Sequence, residues 1–226
     1  MSAIIEGLAF RCQCPARLIG VIISTVIVAQ ANKKPFTPGR ASWRETVRRE
    51  IEAEGRLVIL GVGNEERGDD AAGVLCLRRL SKLLGRGKKR DLLLLEGGVA
   101  PENTTGKIRA FSPNRVLILD AVLGGRRPGT IFAFDPGRIA EEDLTTHRLP
   151  LTLLIRYLEE SIGCRVTCLG IQPRSLEAGR AMSPAVNQAA WRLARFCAGL
   201  IGRDISRRKP SRPAPRRTSG AEKRSP

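Results

Sequence analysis

Two aspartates and the single histidine of this 226-residue protein are the side chains best suited by type and position to metal or acid–base chemistry. Asp70 closes the loop Gly61-Val62-Gly63-Asn64-Glu65-Glu66-Arg67-Gly68-Asp69-Asp70, and Asp120 follows the apolar run Val116-Leu117-Ile118-Leu119. His147 ends Thr145-Thr146-His147, shortly before Pro150. If the three converge, they offer two oxygen ligands and one imidazole nitrogen and leave positions for water or substrate. That donor set suits a divalent metal of intermediate character such as zinc or nickel. Plainer roles stay open on spacing alone: Asp70 as the cap of the following helix, Asp120 as the start of a turn, His147 as a solvated loop residue.

The first loop begins like a dinucleotide fingerprint, but Glu66 stands at the third glycine position, and Glu65, Asp69 and Asp70 add further negative charge. Carboxylates there repel a pyrophosphate, and they suit a cation better.

The elements that must hold these residues alternate along the sequence. Residues 57–61 are a short apolar run ended by glycine, as expected for a parallel strand covered on both faces. Residues 72–84 place Cys76, Leu77, Leu80, Leu83 and Leu84 on one helical stripe and Arg78, Arg79 and Lys82 on the other side. Further strands are expected at 92–95, 116–119 and 165–171, with 131–134 pairing as an antiparallel edge strand after the Pro128-Gly129 turn. Helices are expected at 150–160 and 184–200. The pattern predicts an α/β fold: three layers, α/β/α, around a mainly parallel twisted sheet of about five strands, one edge strand antiparallel. In such sheets ligands bind beyond the carboxyl ends of the strands, where Asp70 and Asp120 would emerge.

Charge sharpens this reading. The sequence holds 39 Lys and Arg against 22 Asp and Glu, a net charge of +17, which raises nucleic acid as a partner. From residue 203 onward, nine basic residues stand against Asp204 and Glu222 in a stretch rich in Pro, Ser and Arg, which predicts a disordered basic tail. Stacking aromatics are scarce at 4%, and no zinc-finger spacing is present, so a nucleic-acid partner is not expected. Residues 18–31 form an apolar run that resembles a signal-peptide core but is too short for a comfortable transmembrane helix, so no stable membrane insertion is expected. The domain boundaries expected are an N-terminal extension over 1–54, one α/β domain over 55–202 and the tail over 203–226. The six cysteines, Cys12, Cys14, Cys76, Cys164, Cys168 and Cys197, lack the paired spacing of a zinc module and read as free thiols.

Six separated segments, in order, resemble the hydrogenase maturation endopeptidases. They are Gly61-Val62-Gly63-Asn64 with Gly68-Asp69-Asp70; Glu96-Gly97-Gly98 with Ala100-Pro101-Glu102; Leu119-Asp120-Ala121; Thr145-Thr146-His147 with Leu149-Pro150-Leu151; Leu169-Gly170-Ile171-Gln172-Pro173; and Met182-Ser183-Pro184. The Thr-Thr-His and Gly-Ile-Gln-Pro segments are most similar to the branch that processes group 4, formate-hydrogenlyase-type nickel-iron hydrogenases. The resemblance implies a metal-dependent, nickel-recognising endopeptidase of aspartate/histidine type. It would remove the C-terminal extension of a nickel-iron hydrogenase large-subunit precursor after nickel insertion. It also implies that Asp70, Asp120 and His147 contact the metal and carry catalysis, and that Glu96, Gly97 and Gly98 take part in choosing the precursor. The ion would be nickel, whether the precursor's or one held by the protein, with zinc or another divalent ion able to substitute. A cytoplasmic monomer is expected. The alternatives are a non-cleaving checkpoint that binds the nickel-loaded large subunit and, ranked below it, a basic nucleic-acid-binding protein. One departure from the family pattern is Ala71, where glycine usually follows the paired acids.

Overall fold

The computed structural model describes residues 42–85, 91–135 and 148–208, the side chains of 148–150 and 204–208 excepted. The apolar run at 18–31, Cys12, Cys14 and residues 209–226 lie outside the described residues, as does His147. Five strands form one sheet: β1 Leu57–Val62, β2 Leu92–Gly98, β3 Arg115–Ala121, β4 Ile131–Phe134 and β5 Arg165–Ile171, in the order β2-β1-β3-β5-β4. Four strands run parallel and β4 pairs antiparallel with β5 at the edge, as the sequence predicts. Every residue of β1 and β3 is buried, which is why both read as almost unbroken apolar runs.

Strand parity sorts those runs into two cores. Leu57, Ile59, Leu117, Leu119, Leu169 and Ile171 face one side, and Val58, Leu60, Val62, Val116, Ile118 and Cys168 face the other. The first face is covered by α1 Trp43–Glu52, α2 Ala72–Leu84 and α5 Pro184–Arg208. The second is covered by α3 Thr105–Phe111 and α4 Arg148–Tyr157, the latter continuing as a wider helical turn to Ile162. Ile59, Leu60, Leu117, Ile118 and Leu119 are among the largest fully buried side chains, and each contributes about 1.5–3 kcal/mol of burial. Leu83, expected on the buried stripe of α2, is instead exposed; Leu84 packs against the core in its place.

Two boundaries differ from the sequence expectation. Residues assigned to an N-terminal extension form α1, whose Val47 and Ile51 are buried in the first core and whose Trp43 meets Phe196 of α5 edge-on at 5.2 Å. Ser42 and Glu45 close a reciprocal capping box at its start. At its end the buried Arg115 guanidinium donates to the backbone carbonyls of Glu50, Ala53, Glu54 and Gly55. Those are orphan acceptors of the last helical turn and the residues after it, so Arg115 caps the end of α1 from the neighbouring strand. The domain therefore includes α1. At the other boundary α5 continues to Arg208, so the first six residues of the expected tail are helical. Its apolar stripe does not stop at Leu200, because Ile201 is also buried. Among the described residues no helix is long and apolar enough to cross a membrane.

Candidate functional site

The carboxyl edge of β1 and β3 brings the first loop against the end of the central strand. After Val62 the backbone passes through Gly63 (φ 137°), where a Cβ would collide with the Asp70 carbonyl, and returns through a short 3-10 turn at Gly68–Ala71 into α2. Gly73 then lies so close to the sheet that any side chain would strike the carbonyls of Leu119 and Val62. These two glycines let the loop fold back on itself and bring the start of α2 down onto β1 and β3.

Within this loop the two neighbouring aspartates do different work. Asp69 is buried. Its carboxylate accepts from the backbone N–H groups of Arg174 (2.7 Å), Ser175 (3.4 Å) and Ser183 (2.6 Å) and from the Ser183 hydroxyl (2.9 Å). It thereby ties the first loop to the segment between β5 and α5. Asp70 is also buried, and its Oδ2 accepts from the Asn64 N–H at 3.2 Å. Neither the 3-10 turn nor α2 is capped by a side chain, so Asp70 is not the cap that its position before a helix suggested.

Asp120 is the sixth of the seven residues of β3, buried at 9% exposure, and its Oδ1 accepts from the Ala121 N–H at 2.8 Å. Burial, with the charge of Asp70 second, pushes its carboxyl up to about 7, partly offset by that hydrogen bond. The fold thus places Asp70 and Asp120 in each other's field at one buried spot, as strand-end reasoning predicts. Two carboxylates so placed disfavour each other's charge, which a cation between them relieves. The third residue of the expected trio, His147, lies outside the described residues, and among those described no group of three His, Cys, Asp or Glu side chains that could hold a metal is found.

The rim is built by ion pairs and amide contacts. Glu96, expected to help choose a substrate, is held by Arg78 of α2, which donates to Glu96 (2.9–3.0 Å) and to Glu65 of the first loop (2.6 Å). These bonds raise the Arg78 pKa well above its ordinary value, those from Glu96 contributing most. Gly97 and Gly98 end β2, and the Gly98 carbonyl accepts from Gly63 N–H at 3.0 Å. Gln172 of the Gly-Ile-Gln-Pro segment accepts from Gly124 and Arg126 N–H through Oε1, bracing the loop after β3. Arg78, Asp69 as a tie and Gln172 as a brace do not stand out in the sequence. Asp69 and Gln172 carry a signal only as parts of matching segments, and Arg78 carries none.

The backbone accounts for Ala71, which sits at φ −68°, ψ −4°, in the right-handed region, so its departure from glycine costs no strain. Cys76, Cys164, Cys168 and Cys197 are free and buried, and burial pushes all four thiols above their ordinary value. They are inert under ordinary conditions.

An α/β sheet with paired buried carboxylates at its carboxyl edge defines the class of molecule, and comparison with known proteins gives the family. A family model described as hydrogenase maturation protease matches residues 77–197, and the protein belongs to that family. The hydrogenase 3 maturation protease of Escherichia coli K12 is 45% identical over 117 residues, covering 51% of this chain and 72% of that protein. The crystal structure of the NiFe hydrogenase maturation protease HycI from Thermococcus kodakarensis KOD1 superposes with a TM-score of 0.62 at 36% identity, covering 70% of this chain and 99% of that one. The solution structure of the endopeptidase HycI from Escherichia coli gives 0.55 at 38% identity, over 64% and 90% of the two chains.

Proposed function

We propose that this protein is an endopeptidase that removes the C-terminal extension of a nickel-iron hydrogenase large-subunit precursor once nickel has been inserted. The observation that carries the reading is the buried Asp70 and Asp120 pair, with Asp120 pushed up to about 7. It is supported by membership of the hydrogenase maturation protease family and by the names of the relatives. Two carboxylates in one poorly solvated spot fit a divalent cation, which relieves their mutual repulsion. The precursor's nickel, as part of the substrate, would supply a Lewis acid beside the scissile peptide, and zinc or another divalent ion could stand in for it. Asp70 and Asp120, with His147 completing the trio, would hold that ion.

The protein's own groups then account for the remaining steps. Asn64 N–H holds the Asp70 carboxylate in place at the end of the first loop. A carboxylate oxygen of Asp70 or Asp120 not engaged by the ion would accept a proton from attacking water and return it to the leaving amine. Glu96, Gly97 and Gly98 form the rim against which the precursor docks. No nucleic acid is needed for this role, and the protein acts in the cytoplasm as a monomer.

Mass spectrometry of a nickel-loaded large-subunit precursor, incubated with and without the protein, tests the reading. Loss of a defined C-terminal peptide that requires Asp70, Asp120 and His147 is the expected result. Capture of the precursor without shortening would instead assign a non-cleaving checkpoint, and normal processing by His147→Ala and Asp70→Ala would remove the trio from catalysis.

A further inference from the structure

We infer that Arg78 is a positioning residue for precursor recognition, holding the end of β2 in register with the loop that carries Asp70; the inference rests on the function proposed above. Arg78 projects from the second turn of α2, a helix fixed to the sheet by Gly73. Its Nε and Nη2 meet both oxygens of Glu96 at 2.9–3.0 Å, a bidentate fork, while Nη1 reaches Glu65 at 2.6 Å. One planar cation therefore spans the end of β2 and the loop that follows β1. A second tie runs in parallel, from Gly63 N–H to the Gly98 carbonyl at 3.0 Å. Together they make the Glu96-Gly97-Gly98 rim and the Asn64 to Asp70 loop one mechanical unit.

The charges matter as much as the geometry. Without Arg78, Glu65 and Glu96 would be two neighbouring carboxylates on the rim of a site that already holds two more at its floor. With it, the three side chains sum to a single negative charge and Glu96 has a fixed direction. The pairing is about half exposed, at 39% for Arg78 and 47–48% for the carboxylates, so screening leaves it a minor contributor to folding. Its effect falls on the shape and charge that an incoming precursor meets.

The test compares single-turnover and steady-state processing of the precursor by wild type, Arg78→Gln, Arg78→Lys and Glu65→Gln, with thermal unfolding of each. Arg78→Gln is expected to raise KM by about tenfold or more with kcat within about twofold, the mark of a lost ground-state contact. Arg78→Lys, which keeps the charge but not the fork, recovers only part of that loss. Glu65→Gln, whose amide oxygen still accepts from Arg78 Nη1 and which leaves the fork on Glu96 intact, stays within about threefold of wild type. Unfolding midpoints are expected to move little. An Arg78→Gln variant with wild-type KM, or one that loses kcat alone, overturns the inference, as does a large drop in its unfolding midpoint that Arg78→Lys fully restores together with activity. Failure of the wild type itself to shorten the precursor would instead overturn the proposed function.

Discussion

The charge on Asp70 adds to burial in holding a proton on Asp120 up to about pH 7. A carboxyl with a native pKa above its ordinary 3.8 keeps a proton that the unfolded polypeptide has already released. Its contribution to stability is therefore full below about pH 4 and is lost as the pH rises through about 7. Urea unfolding of the protein should give a lower free energy at pH 8 than at pH 5. Asp120→Asn, which cannot ionise, should flatten that slope while abolishing processing; an unchanged slope would detach the shift from Asp120.

Asp69→Ala should destabilise the fold by about 3 kcal/mol, because four donors from Arg174, Ser175 and Ser183 lose one buried anionic acceptor. Denaturant titration measures the loss directly. If Asp69→Ala unfolds like wild type, the tie between the first loop and the start of α5 has no energetic weight.

Gly73→Ala should cost about 2 kcal/mol or more, since its Cβ would meet the carbonyls of Leu119 and Val62 and α2 would have to lift from the sheet. The contrasting substitution two residues earlier, Ala71→Gly, should cost only about 1 kcal/mol, through backbone entropy at a right-handed position. Paired thermal melts separate the two, and a smaller loss for Gly73→Ala would contradict the close approach.

Arg115→Leu should destabilise by about 2–4 kcal/mol, as it strips the acceptors of α1 of their partner while leaving the strand's apolar stem largely intact. Hydrogen exchange should locate the change in residues 43–55. Exchange spread evenly over the sheet would show that Arg115 serves the strand rather than the helix.

The centre of the sheet was legible because β1 and β3 are buried along their whole length and need apolar residues at nearly every position; residues 57–61 and 116–119 announce themselves. Helix α1 was not. Its stripe of Trp43, Val47 and Ile51 is interleaved with Arg44, Glu45, Arg48, Arg49, Glu50 and Glu52, and its apolar partner is Phe196, far along the sequence. Even Glu50, fully buried, looks like a surface residue until its ion pair with Arg165 at 2.9 Å is seen. At the site, strand-end logic placed Asp70 and Asp120 together, but no sequence property distinguishes Asp70 from Asp69. The donors from Arg174, Ser175 and Ser183 mark Asp69 as the residue tied to a distant segment, while Asp70 lies in the field of Asp120 on β3. Arg78 was equally hidden, since it read as the solvated side of α2 and gained its meaning from Glu96, 18 residues on.

The acceptor role of Asp69 also bears on how the molecule comes into being. Its donors lie 105 to 114 residues further along the sequence, and such distant closures form late because their loop entropy must be overcome first. The first loop cannot settle until the last strand has been synthesised and the start of the final helix has emerged. A nascent or truncated polypeptide would hold its paired carboxylates loosely, and the capacity to cut would arrive only with a finished fold.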